Sequence, residues 1–270
     1  MTAGAASPPG RVRTDLRSGV LHAVLEHPRR LGALTSAMYD ELATACGRAS
    51  ADPGVRVLVL EGTDGAFAAG TDVRMLAEEV LGPPGSDAGA AGVAYERRVG
   101  EVLQALQDVP VPVVAVVDGP AAGAGLALVA CSDVVVAGPR ARFGLPVART
   151  LGNCVPASVV AALARRAGPA RTRALLLTSR MLDAREAGAV GLADVVLEAE
   201  ELDAGVRDLL DGLRSAAPLA LAAFKQLDRR LAAVDLPDDE DLLRACYGSS
   251  DFREGVTAFL DRRPPRWEGR

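Results

Sequence analysis

The chain predicts an α/β fold in which parallel strands are covered by helices on both faces. Two observations carry that prediction: β-branched apolar runs alternate with segments of helical spacing, and the junctions between them are rich in glycine. A third, the largely helical pattern after residue 200, predicts a helical C-terminal region beyond the α/β core.

Taken in order, residues 1–10 are small, polar and rich in Pro and Gly, which predicts a disordered tail without the apolar core of a signal peptide. Val20–Glu26 is a short apolar run closed by His27-Pro28 and predicts a strand. Residues 35–49 have helical spacing, with Leu34, Met38, Leu42 and Cys46 on one face, and 55–61 (VRVLVLE) predict a second strand between Pro53-Gly54 and Gly62. A helix over 73–79 is expected to be capped by Asp72. Residues 81–92, dense in Gly and Pro, predict a mobile surface loop leading to a helix over 94–107. The rhythm then repeats as strand 111–118, helix 123–131, strand Val134–Ala137 and helix 155–166. Helices over 204–216, 218–234 and 240–262 follow, with Asp133 expected to make a helix-end contact.

The bulk numbers exclude several classes of function. With 270 residues, 49% hydrophobic and 24% charged, the chain can bury the core of one large domain or of a domain with an appendage. Thirty basic against 35 acidic residues, net −5, give no overall attraction to nucleic acid or an anionic membrane, so an anionic ligand needs a local site. No apolar run reaches the roughly 20 residues of a membrane-spanning helix. Cys46, Cys131, Cys154 and Cys246 lie far apart without a C-x-x-C pair, which predicts reduced thiols in a cytoplasmic protein rather than a zinc site or disulfide framework. His22 and His27 are the only histidines and both lie near the N-terminus, so neither a histidine triad nor a metal site is expected.

Glycines 119, 123 and 125 fall between a strand and a helix start, where a backbone can offer free N–H groups to an oxygen anion. The segment 65–76 (GAFAAGTDVRML) resembles the enoyl-CoA hydratase (crotonase) superfamily. The resemblance continues in the family's order through 27–34, 118–125, 142–146, 177–187, Gly191-Leu192 and 251–264. It implies a repeated ββα spiral core over 11–200 carrying a thioester site, and a helical region over 201–270 that builds a homotrimer or hexamer. The ligand it implies is an acyl-CoA thioester, with coenzyme A part of the substrate and no cofactor permanently bound. The backbone N–H groups of Thr71 and Ala124 would hold the thioester oxygen, with Gly70 and Gly123 permitting close approach; two such donors aimed at developing charge can supply several kcal/mol. Ala33 would contribute backbone contacts to the adenine, and Arg29, Arg30, Arg262 and Arg263 are the candidates for its phosphates.

The resemblance also has a gap. The two glutamates by which hydratases of this family handle water are replaced by Ala127 and Val147, and no Asp or Glu occurs from residue 134 to 166. Arg149, Thr150, Asn153 and Cys154 are then the polar groups expected to face the acyl chain. Cys154 would be a nucleophile if Arg149 or a helix N-terminus lowered its pKa, and otherwise an inert thiol. Arg149 and Asn153 could instead orient a carboxylate or carbonyl of the substrate. Tyr95 and Glu96 could approach the acyl pocket, although Glu96 is expected as a solvated helix-start charge favoured by the macrodipole. A lyase or isomerase of the hydratase/isomerase type, a decarboxylase or retro-aldol enzyme, and a non-catalytic thioester-binding or assembly protein all fit these residues.

Overall fold

The computed structural model describes residues 10–28, 30–83, 85–232 and 238–268; the tail at 1–9 and Arg29 lie outside them. Strand β1 (Arg11–Arg17), largely polar and exposed, pairs antiparallel with β2 (Val20–Glu26). It forms an edge that the parallel expectation did not include.

From β2 onward the chain winds in turns of constant order: a strand in a six-stranded sheet, a short extended stretch in a second layer, then a helix. The first turn is β2, a bridge at Leu34 and α1 (Ser36–Ala51); the second is β3 (Val57–Gly62), a bridge at Ala68 and α2 (Val73–Leu76), which runs on as a π-helical turn, Ala77–Leu81. Helix α3 (Ala88–Asp108) leads to the third turn, β4 (Val113–Val117), β5 (Pro120–Ala122) and α4 (Ala124–Ala130). The fourth is β6 (Val134–Ala137), β7 (Arg142–Gly144) and α5 (Val147–Thr150), followed by α6 (Ala157–Ala167) and α7 (Pro169–Thr178). Strand β8 (Met181–Asp183), α8 (Ala184–Ala189) and β9 (Val195–Val196) complete the layers. The large sheet has the order β1-β2-β3-β4-β6-β9 and the small one β5-β7-β8. This is the repeated ββα spiral.

Strand β3 shows why these runs fold so. Leu58 and Leu60 enter the main core with residues of α1, α3 and α4, whereas Val57 and Val59 enter a second cluster on the opposite face. That second face is covered by α9 (Leu202–Ser215), whose Leu210 is buried against Val114 and Val136. The helical region after residue 200 therefore starts as part of the core's own cover, not as an appendage. Helix α10 (Pro218–Ala232) follows; the expected extension to residue 234 lies outside the described residues.

The expected helix over 240–262 is two helices, α11 (Glu240–Tyr247) and α12 (Ser250–Asp261), divided where Ser249 accepts the Phe252 N–H as N-cap. Both pack on α2, the π turn and the start of α3 around Phe252, Tyr247 and Leu76. The expected loop over 81–92 is shorter, because Asp87 caps α3 and the helix begins at Ala88. Gly92 belongs to that helix: the Tyr247 ring of α11 lies so close that a Cβ there would stand 2.2 Å from its Cγ.

Candidate active site

Two loops at equivalent points of successive turns meet beside the small sheet. Gly70 precedes Thr71 on the second turn and Gly123 precedes Ala124 on the third, with φ of +113° and +53°. A Cβ on Gly123 would lie 3.5 Å from Gly70 Cα, an ordinary contact distance, so the two loops lie against each other and it is the positive φ at both positions that favours glycine. Pairing on either side fixes Thr71: the Leu34 N–H donates to Gly70 O at 2.7 Å and the Asp72 N–H to Leu34 O at 2.8 Å. Among the described residues no acceptor takes the Thr71 N–H, and Ala124 is the first residue of α4, so its N–H has no partner within the helix. Two unused donors thus open onto one cavity of about 620 Å³.

Asp72 secures this loop. Its carboxylate accepts the Arg74 N–H at 2.8 Å and the Met75 N–H at 3.4 Å, and Arg30 pairs with it at 2.7 Å. The helix cap read from the sequence is therefore present, with a buried carboxylate and an arginine added. The Thr71 hydroxyl lies 2.5 Å from the Tyr95 hydroxyl and 3.0 Å from that of Tyr39. Burial holds both phenols above their usual range, Tyr39 to about 12, so they are neutral hydrogen-bonding groups.

Ala127 and Val147 both line the cavity, and its wall there is apolar. Glu96 lines it as well, and here the structure corrects the expectation of a solvated helix-start charge. With α3 beginning at Ala88, Glu96 sits in the third turn, on a face shared with Val93 and Val99, and is 8% exposed. Tyr247 donates its hydroxyl to Glu96 Oε1, and Asn153 Nδ2 donates to the same hydroxyl at 2.9 Å. Burial raises the Glu96 carboxyl to about 7; the hydrogen bond from Tyr247 opposes that rise and the Asp239 charge adds to it. Asp72 and Glu96 are the acidic residues of the wall among the described residues, and Asp72 is committed to its cap and to Arg30.

Of the remaining sequence candidates, Asn153 is buried in the wall and its Oδ1 has no hydrogen-bond partner among the described residues. Arg149 is exposed and lies off the wall, because α5 turns it outward. Cys154 is also off the wall: its Sγ faces Leu242 O at 3.8 Å, and burial with the neighbouring Cys246 pushes the thiol up to about 12, the opposite of an activated nucleophile. At the cavity mouth lie Arg30, Ala33 and Arg262. The Ala33 N–H already donates to Arg30 O, and its carbonyl lies 2.6 Å from His27 Nδ1, which leaves a carbonyl lone pair for a ligand. Arg263 turns away into a two-pronged pair with Glu254 at 2.7 and 2.8 Å. Arg29 is outside the described residues.

Glu96 and Tyr247 were within reach of sequence reasoning only in part. A carboxylate centred in the apolar stripe Val93, Glu96, Val99, Leu103 is a visible signal once the helix is started at Asp87. Tyr247, 151 positions away, offers none.

Comparison with known proteins places the chain in one family. The family model described as enoyl-CoA hydratase/isomerase matches residues 15–270. Carnitinyl-CoA dehydratase of Proteus mirabilis is 32% identical over 263 residues, covering 94% of this chain and 97% of the relative. Methylmalonyl-CoA decarboxylase of Escherichia coli is 30% identical over 260 residues, covering 92% and 94%. The crystal structure of an enoyl-CoA hydratase from Mycobacterium avium subsp. paratuberculosis superposes with a TM-score of 0.79 at 28% identity, covering 97% of this chain and 100% of that one. A methylmalonyl-CoA decarboxylase complexed with 2S-carboxypropyl CoA superposes with a TM-score of 0.83 at 28% identity, covering 96% and 98%.

Proposed function

Because the chain belongs to the enoyl-CoA hydratase/isomerase family, we propose that it is an acyl-CoA lyase or isomerase that forms its product through a thioester enolate. The Thr71 and Ala124 N–H groups bind the thioester oxygen. The observation that carries this reading is that the Thr71 and Ala124 N–H groups, on adjoining loops, have no backbone acceptor among the described residues and line one cavity. As the α-carbon loses a substituent, negative charge moves to that oxygen. Donors already aimed at it stabilise the enolate more than the ground state, each worth about a hundredfold or more in rate. Arg30 and Arg262 at the mouth supply positive charge for the phosphates of coenzyme A, and the Ala33 carbonyl accepts from the adenine amine.

The apolar wall at Ala127 and Val147 favours a second form of the same chemistry, in which the leaving substituent is a carboxylate or an aldol fragment instead of water. Decarboxylation and retro-aldol cleavage both end on the enolate and need no pair of carboxylates to split water. The decarboxylase relatives are in keeping with it. We further propose that the chain self-associates as a trimer or hexamer through α10, where Leu219, Phe224, Leu227 and Leu231 are all exposed.

The test is turnover of crotonyl-CoA and a panel of malonyl-type and 3-hydroxyacyl thioesters. Conversion of one of them, abolished in Gly123→Val with the fold retained, supports the reading. Binding without conversion of any supports a thioester-binding protein instead, and unchanged turnover in Gly123→Val refutes the site. Sedimentation of the purified protein reads the assembly.

A further inference from the structure

Ala127 and Val147 make the wall apolar, yet it holds one carboxyl besides Asp72, which is committed to its cap and to Arg30. Helix α3 places Tyr95, Glu96 and Val99 on the face that lines the cavity, and the Tyr95 hydroxyl is hydrogen-bonded to the side chain of Thr71 itself. Glu96 is therefore one residue from the group that ties α3 to the oxyanion loop. Its Oε1 is held by Tyr247, whose hydroxyl is in turn held by Asn153. Among the described residues Oε2 has no hydrogen-bond partner.

We propose that Glu96 is the catalytic acid/base of this enzyme, exchanging a proton with the carbon next to the thioester carbonyl. The inference rests on the thioester reading above. In the forward step the Cα–H bond breaks and the proton passes to Glu96 Oε2. The electron pair becomes the C=C bond of the enolate, and the charge displaced from the carbonyl settles on the oxygen between Thr71 and Ala124. The reverse step restores the Cα–H bond and the carboxylate. After a decarboxylation or retro-aldol cleavage the same carboxyl, starting protonated, quenches the enolate. Atoms and charge balance without any further reactant.

A group serving in both directions needs both protonation states near neutral pH. The surroundings of Glu96 provide for that. Among the described residues the titratable groups about it are Tyr95 of its own helix, Tyr39 of α1, Tyr247 and Asp239 of α11 and its cap, and Cys154 before α6. Burial keeps the three phenols and the thiol neutral, so Asp239 is the charge that acts on Glu96, and it favours the protonated form. Tyr247 and Asn153 act as positioning residues, aligning Oε1 and leaving Oε2 toward the cavity.

The experiment follows exchange of the α-protons of butyryl-CoA in deuterated water by NMR, with binding measured in parallel by calorimetry. Wild type is expected to bind butyryl-CoA and to exchange, the rate rising with pH to a plateau with a midpoint near 7. Glu96→Gln should still bind while exchange falls about a hundredfold or more. Tyr247→Phe should bind and move the midpoint to higher pH, since it removes the hydrogen bond that favours the carboxylate. Exchange at the wild-type rate in Glu96→Gln, binding by wild type without exchange, or an unmoved midpoint in Tyr247→Phe would each overturn the assignment. Failure of wild type to bind overturns the thioester reading and this inference with it, which separates the two.

Discussion

Tyr247 reaches from α11 to donate its hydroxyl to Glu96 on α3, joining two helices 151 residues apart in sequence at the wall of the cavity. The ring itself is buried edge-on against Phe252, 4.7 Å between centroids, and packs over the bare face of Gly92. A cavity lined by the spiral core is in this way closed by helices from the C-terminal region.

The buried carboxyl makes stability depend on pH in a particular direction. Glu96 titrates at about 7 in the folded chain against an ordinary 4.5, so between those values the folded state keeps a proton that the unfolded state releases. Wild-type stability should fall, relative to Glu96→Gln, as pH rises through that window, by roughly 3 kcal/mol in all, and run parallel to the variant outside it. Urea unfolding of both proteins at a series of pH values reads this; parallel curves throughout would mean that Glu96 is not buried as described.

Gly92 is expected to tolerate no side chain. Alanine at an ordinary helix position gains up to about 1 kcal/mol over glycine. Here its Cβ would stand 2.2 Å from Tyr247 Cγ, so Gly92→Ala should instead destabilise by about 1–3 kcal/mol as the ring is displaced. A thermal melt that rises in the variant would contradict the packing of α11 on α3.

Asp72 couples a helix cap to a charge pair, and two substitutions separate them. Asp72→Ala loses the acceptor for the Arg74 and Met75 N–H groups and leaves Arg30 unpaired, at a cost of about 1–2 kcal/mol for the cap alone. Asp72→Asn keeps a capping oxygen and should lose less. Equal losses in denaturant titrations would show that the cap contributes nothing and the pairing with Arg30 all of it.

The four central strands of the large sheet, the first long helices and the glycine loops were legible in the sequence because each depends on local pattern: β-branched runs such as 57–60, an apolar face such as Met38, Leu42 and Cys46, and glycines at strand–helix junctions. Strands β5, β7, β8 and β9 were not, since two or three residues cannot display a period. The misreading of residues 88–92 as loop has a physical cause: Gly89 and Gly92, which weaken a helix in isolation, are there because α11 packs directly on them. That error carried Glu96 to a helix start, where a solvated charge is the expectation, although the same helix was read as able to approach the acyl pocket. Arg149 was expected to face the acyl chain because adjacency to Val147 in sequence does not say which way a short helix turns its side chains, whereas Cys154, also expected there, follows the inert-thiol alternative.

The central claim is that the Thr71 and Ala124 N–H groups polarise a thioester carbonyl. Difference infrared spectroscopy of butyryl-CoA, isotope-labelled at the thioester carbonyl carbon, measures that polarisation in the bound state. The account predicts a carbonyl stretch at lower wavenumber than in water, and a thioester bound at saturation with its stretch unmoved from the solution value would contradict it.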